Sequence, residues 1–183
     1  MADTEKNTDT IIDWITGKPV PDVGAEANRQ AVERFLVEEK GFAKEDIEVD
    51  VDIDTLIAGE PYRSRIDLVV SVDRETRFMA IKCAAGSLGS REREILSASR
   101  ILSEYPIPYS VVSDGKTAIV LDTVTGKKLG EGLNAVCSKE EAKEKLKSIK
   151  PMPFPKERLE REKLIFRSYD ILNVNVKRNT SAK

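Results

Sequence analysis

Histidine is missing from all 183 residues of this chain, and its absence removes whole classes of chemistry. Without an imidazole there is no Ser-His-Asp or Cys-His machinery, no HExxH zinc site and no His-based nuclease motif. Any reaction would have to run on carboxylates, Lys, Arg, Tyr, Ser or Cys. Cysteine is scarce too. Cys83 and Cys137 are too few for the disulfide framework of an oxidised secreted domain, and both are expected as buried thiols. No run of ~18 apolar residues and no charged-then-apolar leader is found, so neither a membrane span nor a secretory signal is expected, and the cytoplasm is the default location. No GxxxxGKS/T segment occurs, so the chain carries no recognisable phosphate loop of an ATP-driven motor. Charge of one sign is lacking as well: 30 Lys and Arg stand against 32 Asp and Glu. Such a chain is no polycation, and a DNA contact would need a local patch or a partner.

What is present is one domain of ordinary length with a readable order of elements. Residues 1–8 are polar and expected to fray, and Ile11 to Ile15 reads as a short helix ended by Gly17, Pro19 and Pro21, with Trp14 as a packing anchor. From Val23 to Lys40 the pattern is helical, with a stripe of Ala31, Val32, Phe35 and Leu36. Ile47 to Asp54 alternates strictly, which predicts a half-buried strand with Glu48, Asp50, Asp52 and Asp54 on a solvated face. A helix is expected from about Arg91 to Glu104, and a hairpin of Tyr109–Ser113 with Thr117–Asp122 turns at Asp114-Gly115. Ser138 to Ile149 reads as a capped charged helix and Pro151–Pro155 as a stiff linker. Lys156 to Leu172 reads as an amphipathic helix whose apolar residues Leu159, Leu164, Ile165, Tyr169 and Leu172 would pack on the domain or on a partner, and the basic tail from Lys177 to Lys183 is expected to be disordered. Helices covering the faces of a mixed sheet make this an α/β fold.

The central stretch is RIDLVVSVDRETRFMAIK, Arg65 to Lys82, two strands joined by a polar turn. Alternation puts Arg65, Asp67, Val69 and Ser71 on one face of the first strand, and Phe78, Ala80 and Lys82 share a face of the second. Asp67 and Lys82 can therefore converge at one end of a sheet. Beyond them, Gly86-Ser87-Leu88-Gly89-Ser90 precedes a helix and could hold a phosphate on free backbone N-H groups, with Arg91 and Arg93 beside it.

Between Val23 and about Leu133, the pieces EANRQAVERFLVEEKGF, IEVDVDI, RSRIDLVV, a strand ending in Lys, a helix and IPYSVVSDGKTAIVLD resemble, in order and spacing, the N-terminal domain of the R subunit of type I restriction enzymes. The resemblance implies a restriction-endonuclease-like PD-(D/E)xK core over residues 23–136. An N-terminal arm (1–22) would precede it and a C-terminal helical extension and tail (137–183) would follow. It further implies a Mg²⁺-dependent DNA endonuclease, in relatives fused to a DNA-translocating motor. Asp67 falls on the metal-binding Asp, with Ile66 in place of the usual Pro. Glu26 falls on an acid carried at the start of the first helix, and Lys82 is the candidate for the motif Lys.

The second motif acid is missing in either frame. With Lys82 as the motif Lys, Ala80 stands at the acid position; with Ala84 there instead, Lys82 itself replaces the acid. Mg²⁺ is held by oxygen ligands, so loss of a strand carboxylate lowers affinity, and an adjacent ammonium lowers it further. Some nucleases of this superfamily take that acid from the following helix, which makes Glu92 and Glu94 candidate ligands with Asp67. Against this stands the plainer role of Glu92 and Glu94 as first-turn acids favoured by the helix dipole.

Two function classes follow from the resemblance: a Mg²⁺-dependent endonuclease with Asp67, Lys82 and Glu26 as catalytic residues, or a catalytically degenerate module that binds nucleic acid or protein. A third is an assembly domain using its last helix. Arg65, Ser87, Ser90, Arg91 and Arg93 are the candidate DNA contacts. Partner subunits or further copies of the chain are the expected protein partners.

Overall fold

The computed structural model describes residues 9–172, and the expectations for residues 1–8 and for the basic tail lie outside them. A six-stranded sheet forms the centre, built from β3 (Ile47–Ile57), β4 (Glu60–Ser71), β5 (Arg77–Cys83), β6 (Tyr109–Ser113), β7 (Ala118–Asp122) and β8 (Lys128–Glu131), which lie side by side in that order. Every neighbouring pair is antiparallel except β5 and β6. That parallel step needs a crossover, which the helix α2 (Glu92–Ile101) supplies. The expected mixed α/β architecture is therefore the one observed.

Each face of the sheet carries its own apolar cluster. On one, Val32, Phe35 and Leu36 of α1 (Glu26–Glu38) meet Leu68, Val70, Met79 and Ile81, with Ala142 of α3 (Lys139–Leu146) alongside. On the other, Ile95, Leu96 and Ala98 of α2 meet Val69, Ala80 and Val112, and Phe166 of α4 (Lys156–Leu172) joins them. Helix α3 starts as its sequence predicts, at a capping box in which Ser138 and Glu141 satisfy each other's backbone N-H groups. Both cysteines are free and buried. No helix among the described residues is long and apolar enough to cross a membrane.

Four local expectations need correction. Ile11 to Ile15 is not a helix: β1 (Thr10–Ile12) pairs with β2 (Pro19–Pro21), and Asp13 turns the chain by accepting from the backbone and hydroxyl of Thr16. That side-chain bond competes with a helical one. Trp14 is half-buried, with the Lys44 ammonium 3.9 Å from its ring centre. The alternation of β3 is real but its apolar side is divided. At Asp50, φ is +53°, and Ile47 and Val49 pack in the α1 cluster while Val51 and Ile53 pack in the α2 cluster. The segment Pro151–Pro155 is more than a linker, because Phe154 is buried with the guanidiniums of Arg100 and Arg158 within 5.0 Å of its ring centre.

The fourth correction concerns α4. Among its residues up to Asp170, Glu162 and Phe166 are buried whereas Leu164 is 51% exposed, and the side chain of Leu172 lies outside those described. Glu162 docks the helix: Oε1 accepts from Arg93 (3.1 Å) and Arg100 (2.9 Å), and Oε2 accepts from Ser97 (2.8 Å). A charged anchor is invisible to a hydrophobic pattern. Farther along, Asp170 accepts a short hydrogen bond from Tyr62, whose ring meets Phe166 edge-on. Glu162→Ala would leave the buried Arg100 without its counter-ion and is expected to cost about 3–5 kcal/mol in urea denaturation, against under ~1 kcal/mol for Leu164→Ala. Equal costs would remove Glu162 as the anchor.

Candidate functional site

Strand register brings the candidate residues together. Leu68 lies opposite Ile81 and Val69 opposite Ala80, and continuing that ladder sets Asp67 beside Lys82 at the end of β5. Both side chains project toward α2, on the face where Ala80 and Ala84 are buried in apolar packing. Neither alanine position can supply the missing acid. The first turn of α2 then delivers Glu94 to the same point. Lys82 Nζ stands 3.5 Å from Asp67 Oδ2 and 3.5 Å from Glu94 Oε1.

All three residues are nearly sealed from solvent, at 8% exposure for Asp67, 7% for Lys82 and 3% for Glu94. Asp67 Oδ2 also accepts the backbone N-H of Cys83 at 2.7 Å, and Glu94 Oε2 lies 3.4 Å from Arg91 Nη1. Burial alone would lower the Lys82 pKa, but the Asp67 and Glu94 carboxylates more than offset it and hold the ammonium above its ordinary value. The neighbouring Cys83 thiol is pushed far up by burial and by Asp67, so it is no nucleophile.

The other candidates lie elsewhere. Glu92 faces β8, with Oε1 3.8 Å from Lys128 Nζ. Arg65 pairs with Asp52 across the hairpin at 2.8 Å, and Arg93 turns to Glu162. Ser90 donates to the carbonyl of Ser87, closing the loop that leads into a 3-10 turn at Gly89–Arg91.

Glu26 belongs to a second charged cluster, which the sequence reading missed. The buried Arg29 contacts Glu26 Oε1 (2.5 Å), Asp13 Oδ2 (3.0 Å), Asp50 Oδ2 (3.6 Å) and Glu33 Oε1 (3.9 Å). The signal was there in Glu26, Arg29 and Glu33, one stripe of α1 at spacings of three and four. Asp50 was hidden, because only its left-handed backbone turns it away from the acidic face. Burial and the Asp13 charge push Glu33 up to about 8.

A scan against known families matches residues 24–137, well over half of the chain, to the family described as type I restriction enzyme R protein N terminus. The chain belongs to this family. No curated protein matches the sequence. Among solved structures, the fold of this restriction-subunit domain is similar to a fragment assigned as the HsdR subunit of a type I restriction enzyme from Vibrio vulnificus YJ016. The TM-score is 0.53 at 16% identity, covering 68% of this chain and 25% of that one. The chain thus spans about a quarter of the length of that structure.

The Mg²⁺ implied by the resemblance is a poor match for these donors. The ion requires several oxygens at ~2.1 Å in octahedral array. Here the two carboxylates are bridged by an ammonium, and one oxygen of Asp67 is committed to a backbone N-H. Among the described residues no three acidic or thiol side chains gather as a metal-binding group.

Two outcomes are expected for this restriction-family domain. Lys82→Ala leaves two buried carboxylates facing each other and should destabilise by about 3–5 kcal/mol. Mn²⁺ should then raise the melting temperature of the variant but not of the wild type. A wild type stabilised as much as the variant would contradict this. Glu33, whose ordinary pKa of 4.5 rises to about 8 in the fold, keeps its proton in the native state while the unfolded chain releases it. Its contribution therefore falls as pH rises between those values and levels off above them. Urea titrations should show Glu33→Gln gaining on the wild type between pH 5 and 9, by on the order of 1–3 kcal/mol; a pH-independent gap would exclude Glu33 as the group responsible.

Proposed function

We propose that the chain is a non-cutting member of the type I restriction R-subunit N-terminal family, a PD-(D/E)xK-type domain that engages DNA within a multi-subunit assembly. One observation carries this: the Lys82 ammonium lies between Asp67 and Glu94, buried, 3.5 Å from an oxygen of each. A cation is already in the place where a nuclease of this kind would bind Mg²⁺. Adding a divalent ion against a buried ammonium in a low-dielectric setting is strongly disfavoured. Near-complete burial of all three residues also keeps a scissile phosphate away from them.

Family membership is the support for DNA and partner subunits as ligands. Arg65 and Arg91, both partly exposed, remain the candidate contacts from the central stretch. The pairing of Arg65 with Asp52 is exposed and weak, so a backbone phosphate could compete for it.

A second reading, the Mg²⁺-dependent endonuclease, draws on the same triad. Asp67, Glu94 and Lys82 are two acids and a lysine, the residue types of the motif, with the second acid taken from the following helix. Glu26, held by Arg29, lies in a different cluster. The two readings separate on supercoiled plasmid and single-stranded DNA incubated with Mg²⁺ or Mn²⁺. The wild type is expected to nick no faster than Asp67→Ala or an EDTA control. Metal-dependent nicking lost in Asp67→Ala, Lys82→Ala and Glu94→Gln alike would establish the nuclease instead.

A further inference from the structure

On the outer side of α2, a cavity of about 380 Å³ is lined by Arg93, Arg100, Arg158 and Arg161, with Glu162 and the turn at Gly126 completing its wall. One carboxylate against four guanidiniums leaves an excess of three positive charges. That single carboxylate already accepts from Arg93, Arg100 and Ser97. Arg158 and Arg161 are exposed, and neither forms an ion pair among the described residues. The excess is felt locally. Burial, together with the charges of Arg93 and Arg158, holds Arg100 below its ordinary pKa despite Glu162.

The pocket is also built rather than accidental. Arg100 is 3% exposed and donates from Nε to the carbonyl of Thr123 (2.8 Å), from Nη1 to Glu162 (2.9 Å) and from Nη2 to the carbonyl of Val124 (3.4 Å). Three of its five N-H donors fix the guanidinium, and two remain. The buried ring of Phe154 lies 5.0 Å from the Arg100 guanidinium carbon and 4.9 Å from that of Arg158, which sets the second arginine in place. Gly126 keeps one wall low: a Cβ there would come 3.4 Å from Arg100 Nη2.

Preorganised arginine forks with uncompensated charge match the tetrahedral, multiply charged oxygens of phosphate better than a singly charged carboxylate. We propose that this pocket binds a phosphate group, either of a small free phosphate or of a nucleic-acid backbone. It shares no residue with Asp67, Lys82 and Glu94, so it stands whether or not the domain cuts DNA.

The test is a titration of the full chain with inorganic phosphate and pyrophosphate, followed by calorimetry and ³¹P NMR. The comparison is with the double variant Arg158→Gln, Arg161→Gln, whose fold is checked by circular dichroism, and with Lys116→Ala as a surface control. Saturable binding in the wild type and control, weakened about tenfold or more in the double variant, is expected. A second arm adds a short DNA duplex. Displacement of phosphate by DNA, lost in the same double variant, assigns the backbone phosphate as ligand; phosphate binding untouched by DNA assigns a free phosphate, and either result upholds the pocket. Non-saturating phosphate responses, or equal affinities in wild type and double variant, overturn it.

Discussion

An ammonium held between two carboxylates in a nearly dry interior is the constraint around which the centre of this molecule is arranged. None of the three charges could be buried alone, because each would lose several kcal/mol of hydration. Together they are sustained by mutual attraction and by the Cys83 N-H that Asp67 accepts. The arrangement fixes more than three side chains. It demands the β4–β5 register that sets Asp67 beside Lys82, and an α2 helix whose first turn reaches back over β5. It also leaves the remaining positions on that face, Ala80 and Ala84, to small apolar side chains.

The same physical solution recurs twice. Arg29 gathers Asp13, Glu26, Glu33 and Asp50, which ties the N-terminal hairpin and the strained point of β3 to the first helix. Glu162 gathers Arg93, Arg100 and Ser97, which ties the last helix to α2. Buried ion clusters are weak evidence for stability, since apolar replacements of like volume do as well or better. Their consequence here is positional. Apolar contacts alone would let a helix slide, whereas a buried carboxylate with three donors admits one placement.

How much of this could be read from the sequence depended on which force set each feature. Periodicity follows apolar burial, so α1, α2, the β6–β7 hairpin and α4 lay close to where it placed them, and the cap read at Ser138 marked the start of α3. The pattern failed where polar side chains decide the structure. Asp13 made a turn of the residues read as a helix, Asp50 redirected its strand by adopting a left-handed backbone, and Glu162 rather than Leu164 faced inward. The central site was partly legible: Asp67, Lys82 and Glu94 were among the candidates and do come together. Glu92, two residues from Glu94 on the same helix, points to Lys128 instead, a difference set by a rotation of ~100° per residue that the helix start alone determines.

The family model places the chain among the N-terminal domains of restriction R subunits, yet a fold does not fix its chemistry, and the proposed function turns on whether Asp67 and Glu94 hold only Lys82. Titrating wild-type protein with Mn²⁺ and reading the free-ion EPR signal addresses that directly. The account predicts that the signal grows with added Mn²⁺ as in buffer, with no equivalent withheld by a site that depends on Asp67 or Glu94. One equivalent of ion withheld by the wild type and released in Asp67→Asn or Glu94→Gln would show that Lys82 yields its place, and would contradict the account.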